Sequence, residues 1–195
     1  MAASPSTDPR VQRSREAILA AAVEVLSERG FEGATIEAVV VRSGVAKTTV
    51  YRQWPNRRDL LLSAVETAVP RAEIADTGSL AGDLKSFVRE LVAVLNTEPA
   101  GRILPRLIAA AEDDAELARL LSEFTAQRRK PIETAVLRAV ERGEPDAGAR
   151  DSDTLASLVL GPLFYRRLLS RRTLTIEFAE RVVDDVLARL SQRFP

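Results

Sequence analysis

Residues 35–54 read TIEAVVVRSGVAKTTVYRQW, and this stretch decides the fold. Thr35 can cap a helix, and Gly44 can end that helix because the turn after it needs a residue that tolerates a positive φ. A second, short helix is predicted from Lys47 to Trp54, since the proline that follows disfavours a helical conformation at the residue before it. Two helices joined by a short turn containing glycine form a helix-turn-helix unit, whose second helix enters the major groove of DNA.

The same region is strongly basic. Residues 42–58, called the basic stretch below, carry five basic side chains and no acidic one, although the whole chain has a formal net charge of zero. Val50 and Trp54 are spaced to form the buried face of the short helix. The opposite face then offers basic and hydroxyl side chains to a polyanion. The sequence therefore predicts that this helix recognises DNA.

Two groups of side chains are candidates for DNA contacts. Side chains on the exposed face of the short helix can contact base edges, because Lys or Arg can donate to guanine O6 and N7 and Thr can meet a thymine methyl group. These base-reading candidates are Lys47, Thr48, Tyr51 and Arg52. Side chains that flank the groove are expected to bind phosphates. The phosphate candidates are Thr35, Thr49, Gln53 and Arg57. Each residue alone also fits a structural role, so the prediction depends on their combination.

The composition excludes several classes of chemistry. There is no Cys and no His, which removes disulfides, thiolate nucleophiles, imidazole bases and the usual zinc, copper and haem ligands. The acidic run at 112–114 is typical of a solvated helix end. We therefore expect a protein that is not an enzyme and holds no cofactor or metal. Two weaker alternatives are a helical-bundle enzyme or binding protein that takes a phosphorylated small molecule, and a helical protein interaction module.

The remaining sequence predicts helices throughout. No stretch alternates between apolar and polar residues with the two-residue period of a strand. The first helix is expected to end at Gly30, in the left-handed conformation. The longest apolar runs are too short to span a bilayer, and the polar N-terminus has no apolar core of a signal peptide. We therefore expect a cytoplasmic protein with no membrane partner.

Several short motifs follow one another in a fixed order. They are Thr35-Ile36, Gly44-Val45, Thr49-Val50-Tyr51, Trp54, Asn56-Arg57 and Leu60-Leu61. In this order and spacing the sequence resembles the TetR family of bacterial transcriptional regulators. The resemblance is strong over residues 11–62 and architectural beyond them, where the segment 161–165 is also similar to one in many members. Ala46 stands where many members carry Ser as the cap of the recognition helix.

The resemblance implies a fold and an activity. The fold is all-α, with an N-terminal three-helix helix-turn-helix domain over residues 10–56 and a C-terminal helical bundle for ligand binding and dimerisation over residues 57–195. Residues 1–9 are expected to form a disordered tail. The activity is that of a ligand-responsive repressor that binds a palindromic operator in double-stranded DNA as a homodimer. A ligand-responsive activator is the alternative.

The resemblance also implies two sites in the C-terminal half. In the family, helices eight and nine pair with their copies, and ordinary packing within one chain is the alternative. The expected interface residues are Leu155, Leu158, Val159, Val182, Val183, Val186, Leu187 and Leu190. A pocket for a small, mostly apolar effector is expected among helices five to eight. Its candidate residues, which core packing explains equally well, are Phe87, Leu91, Leu104, Leu107, Phe124 and Phe164.

Overall fold

A computed structural model describes residues 8–144 and 151–191 of the chain. Within these ranges the chain forms nine α-helices, one π-helical turn and no strand, so the predicted all-α fold is confirmed. No described helix is long and apolar enough to cross a bilayer. Residues 1–7 of the predicted tail, which covers residues 1–9, lie outside the described residues. The helices are α1 (Pro9–Gly33), α2 (Ile36–Ser43), α3 (Lys47–Gln53), α4 (Arg57–Ala68), α5 (Leu80–Leu95), α6 (Glu98–Asp113), α7 (Ala115–Glu141), α8 (Ser152–Phe164), the π-helical turn (Tyr165–Leu169) and α9 (Ile176–Ser191).

The chain divides into two compact units. The first contains Met1–Val69 and Arg102–Leu121, and the second contains Pro70–Gly101 and Ser122–Pro195. Helices α6 and α7 contribute residues to both units. The first unit therefore contains the whole predicted helix-turn-helix.

The first unit is built around α1, which packs on α2 and α4, while α2 packs on α3. Apolar side chains at helical spacing supply its core, because such spacing places them on one face of each helix. The buried residues of these four helices include Ile18, Ala22, Val25, Leu26, Ile36, Val39, Val50, Leu60, Leu61, Ala64 and Val65. Arg106 of α6 also belongs to this unit, and its Nη1 donates to the carbonyl oxygen of Leu26 at 2.9 Å.

Gly30 interrupts α1 in a different way from the one predicted. Its φ of 70° is positive, as expected, but its ψ of −172° is far from the left-handed helical value. One more helical turn follows, so α1 continues past Gly30 to Gly33 with a kink. The carbonyl groups of the turn before the kink are the ones that Arg106 approaches.

The second unit packs α9 against α5 and α8. Its one buried charged residue among the described residues is Asp83, in the first turn of α5. Burial raises the pKa of this carboxyl. The backbone N–H and the hydroxyl of Thr77 each donate to it at 2.7 Å, and Arg142 donates to it at 3.1 Å. Together these hydrogen bonds lower the pKa by more than burial raises it. The pKa of Asp83 therefore lies below its usual value of 3.8.

Candidate nucleic-acid interface

The helix-turn-helix has the local geometry that the sequence predicts. Thr35 caps α2, since its Oγ1 accepts from the backbone N–H of Ala38 at 3.1 Å. Gly44 adopts the left-handed conformation, with φ 67° and ψ 8°, and its N–H donates to the carbonyl oxygen of Val40 at 3.0 Å. Ala46 makes no side-chain cap at the start of α3. Helix α2 therefore begins and ends at the predicted capping residues, whereas α3 begins without a side-chain cap.

Trp54 and Val50 hold helix α3 in place. The helix has only seven residues, which is too few for stability on its own. The Trp54 side chain is 3% exposed, its Nε1 donates to Ser63 Oγ of α4 at 2.9 Å, and the Arg15 guanidinium of α1 lies 4.7 Å from the ring centroid. Val50 is fully buried beside it. Trp54 thus fixes α3 against both α1 and α4.

The opposite face of α3 is open to solvent. Its exposed row, as we name the four side chains on this face, consists of Lys47, Thr48, Tyr51 and Arg52. All four base-reading candidates therefore lie on the surface. The row combines two cations with two hydroxyl groups, and such groups can donate hydrogen bonds to the acceptors on base edges in the major groove.

Lys47 is paired with an acidic residue that the sequence analysis missed. Its Nζ lies 2.7 Å from Oε1 of Glu37, in the first turn of α2, and 5.7 Å from the centroid of the Tyr51 ring. The hydrogen bond from Lys47 lowers the pKa of Glu37, and the same bond raises the pKa of Lys47. The basic stretch contains no acid, but Glu37 lies five positions before it. The fold therefore brings one negative charge to the edge of the exposed row.

Arg42 belongs to the packing of α1 on α2. Its guanidinium pairs with Glu24 at 2.9 Å and with Glu28 at 2.5 Å. The hydrogen bonds to Glu28 and Glu24 raise the pKa of Arg42, and the bond from Arg42 lowers the pKa of Glu28. This cation of the basic stretch therefore forms ion pairs within the chain that join α2 to α1.

The phosphate candidates divide into two groups. Thr35 is exposed and Thr49 is half-buried, and a Thr hydroxyl can donate to a phosphate oxygen. Arg57 differs from the expectation, because its Nε donates to the carbonyl oxygen of Ala34 at 3.0 Å and its Nη2 donates to that of Phe31. Gln53 also differs, since its Nε2 is buried and has no hydrogen-bond partner among the described residues. The Nε and Nη2 donors of Arg57 and the Nε2 donor of Gln53 therefore point into the protein, although they were expected to contact DNA.

Known proteins match this chain along most of its length. Residues 18–64 match the family described as bacterial regulatory proteins, tetR family, and residues 74–186 match the tetracyclin repressor-like C-terminal domain. The HTH-type transcriptional regulator YdeS of Bacillus subtilis is 31% identical over 164 residues, which are 83% of this chain and 82% of YdeS. This chain belongs to the TetR family of transcriptional regulators.

Two further relatives match most of this TetR-family chain and most of their own length. The DNA-binding transcriptional repressor TetR of Mycobacteroides abscessus is 32% identical over 174 residues, or 88% of this chain and 90% of that protein. The solved structure of the TetR family transcription regulator SCO0332 is 33% identical, has a TM-score of 0.66, and covers 90% of this chain and 97% of its own. The predicted family is confirmed, and the protein is a DNA-binding transcriptional regulator.

The predicted dimer residues of this TetR-family protein differ in exposure. Leu155, Val159 and Val183 are fully buried within the second unit, so they have no surface left for a partner. Leu158 is 43% exposed. The half-buried members are Val182, Val186 and Leu187. The side chain of Leu190 lies outside what the structure describes.

The predicted effector residues are mostly core residues. Leu104 and Leu107 are buried and belong to the first unit, whereas the other four belong to the second unit. Phe87, Leu91 and Phe124 are buried, and Phe164 is half-buried. Burial of this kind agrees with core packing as well as with the lining of a pocket, so the effector site stays a prediction.

Proposed function

We propose that this TetR-family regulator is a ligand-responsive repressor that binds a palindromic operator as a homodimer. The observation that carries the DNA-binding part is the exposed row on α3, opposite the buried pair Val50 and Trp54. In this proposal the exposed row contacts bases, and the hydroxyl groups of Thr35 and Thr49 contact phosphates. Gln53 and Arg57 act as positioning residues, because their donors face the protein.

An exposed apolar stripe supports the homodimer. Leu158, Tyr165 and Leu169 are 43%, 62% and 72% exposed, and their spacing places them on one side of α8 and the π-helical turn. A second copy of the chain would remove this stripe from water. A two-fold dimer would present two α3 helices, which predicts half-sites about 34–36 Å, or a multiple of that, apart from centre to centre.

Repression is supported by the name of one relative, and an apolar effector by the candidate pocket residues. The Mycobacteroides abscessus relative is named a repressor, which favours repression over activation for this chain. An apolar effector is favoured because the four candidates of the second unit, Phe87, Leu91, Phe124 and Phe164, are uncharged. A thermal-shift screen tests this part, with a rise in melting temperature expected for apolar compounds. Stabilisation by charged metabolites alone would contradict it.

The salt dependence of DNA binding separates the proposal from its alternatives. Each phosphate that a Lys or Arg neutralises releases counterions, so a dimer that neutralises about six phosphates would lose about 10³-fold in affinity between about 50 and 200 mM salt. The full-length protein is titrated against a labelled duplex by fluorescence anisotropy. A weak dependence on salt, together with tight binding of a phosphorylated small molecule, would instead support the alternative of a helical-bundle enzyme or binding protein that takes such a molecule.

A further inference from the structure

The acidic residue at the edge of the exposed row has a physical cost in a DNA-binding protein. Glu37 is in the first turn of α2, and 62% of its side chain is exposed. A carboxylate on a surface that approaches phosphates lowers the affinity for every DNA sequence. Its position next to Lys47 gives it a second effect, which can differ between one DNA sequence and another.

Lys47 is restrained on two sides. Its ammonium group pairs with Glu37 at 2.7 Å, and the Tyr51 ring centroid lies 5.7 Å away. An ammonium group has three donors. The pair with Glu37 uses one of them, and the other two stay available for O6 and N7 of a guanine. The ion pair is therefore compatible with a base contact by Lys47.

We propose that Glu37 is a specificity-determining residue that reserves Lys47 for bases. On DNA with a guanine in reach, Lys47 binds the base while it keeps its bond to Glu37. On other DNA the remaining acceptor for Lys47 is a phosphate, and the Glu37 carboxylate beside Lys47 repels that phosphate. Glu37 thus weakens binding to random DNA more than binding to the operator. This inference rests on the proposed role of α3 in contacting bases.

Two other carboxylates of the same unit show a different use of acidic residues. Glu24 and Glu28 both bind Arg42, and this arrangement joins α1 to α2. Glu37 instead joins the first turns of α2 and α3, at the end of α3 from which the exposed row begins. The Glu37–Lys47 pair is thus placed to act on DNA contacts, whereas Arg42 is used for packing.

The test is Glu37→Gln, which keeps the size and the oxygen acceptor of the side chain and removes its charge. The full-length variant is titrated against operator and random duplexes of equal length. An exposed ion pair is weak, so we expect affinity for random DNA to rise about two- to fivefold and affinity for the operator to change less. One additional phosphate contact should steepen the slope of log K against log salt on random DNA by about 0.9. Glu112→Gln, at an exposed position of α6, is the matched control and should change neither value.

A double variant separates an effect through Lys47 from a general effect of charge. In Lys47→Ala protein, Glu37→Gln should no longer steepen the salt slope on random DNA. An equal gain on both DNAs, or a slope change that persists without Lys47, would overturn the inference. If the wild-type protein does not prefer any operator, the proposed function fails. If that preference exists and Glu37→Gln leaves it unchanged, only this inference fails.

Discussion

Replacement of Trp54 by alanine tests how α3 is held. The side chain is 3% exposed, and burial of a tryptophan removes about 200 Å² from water. At about 25 cal/mol per Å² this burial stabilises the folded state by about 5 kcal/mol. Replacements of this kind in cores cost about 3–5 kcal/mol. Because domains are stable by only about 5–15 kcal/mol, we expect Trp54→Ala to remove much of the stability of the first unit and to release α3.

Trp54→Phe is the matched control. Phenylalanine keeps most of the apolar surface but loses the hydrogen bond to Ser63, so we expect a loss of about 1–2 kcal/mol. Urea unfolding followed by far-UV circular dichroism measures both variants, because Trp54 is the single tryptophan of the chain and its fluorescence disappears with it. Operator affinity should fall in the same order. A loss below about 1 kcal/mol for Trp54→Ala would refute the reasoning that this contact fixes α3.

Three further predictions concern DNA, pH and assembly. Lys47→Ala should weaken operator binding about tenfold more than random-DNA binding. Arg57→Ala should weaken both alike, because it loosens the connector before α2. Paired titrations measure these losses, and equal losses on both DNAs from Lys47→Ala would contradict the prediction. The folded-state pKa of Asp83 is lowered, so its stabilising contribution is present above pH 3.8 and is lost as the pH falls through the folded value. Urea unfolding across this range should show that loss in wild-type protein and a smaller one in Asp83→Asn, and identical pH profiles would count against it. Leu158→Asp should convert the proposed dimer to a monomer in sedimentation equilibrium, while Leu137→Asp, at an exposed position of α7, should not. A dimer that survives Leu158→Asp would exclude this interface.

The helix-turn-helix could be predicted from the sequence because its determinants are local. The cap at Thr35 and the positive φ at Gly44 each depend on a few neighbouring residues. Helix α3 ends at Gln53, one residue earlier than predicted, and Trp54 is extended because the next residue is a proline. Gly30 shows the limit of this reasoning. A glycine permits a positive φ, but the residue type alone does not predict the ψ of −172° or the extra turn of α1 that follows.

The pairing of charged side chains could not be predicted, because it depends on how the helices pack. Lys47 and Glu37 are 10 residues apart, and Arg42 lies 14 residues from Glu28. Arg57 reaches a carbonyl group 23 residues earlier in the chain. Composition identified the basic stretch correctly, but only the tertiary structure separates the cations that face solvent from those that hold the unit together.

The apolar stripe of α9 shows a second limit. Its spacing predicts which residues share a face but not what covers that face. In the structure α5 covers part of α9, with ion pairs of 2.7 Å between Lys85 and Asp184 and of 2.5 Å between Arg89 and Glu180. Val183 is therefore a core residue, although the same periodicity is typical of a dimer interface.

The most direct test of the central claim is to capture genomic DNA with the purified full-length protein. Sheared DNA from the source genome is incubated with the protein at about 150 mM salt, where non-specific binding is weak, and the retained fragments are sequenced. The account predicts a few enriched fragments that share an inverted repeat, with half-sites about one helical turn of DNA, or a multiple of it, apart. Recovery without enrichment over the input, in the presence and absence of candidate effectors, would contradict sequence-specific DNA binding by α3.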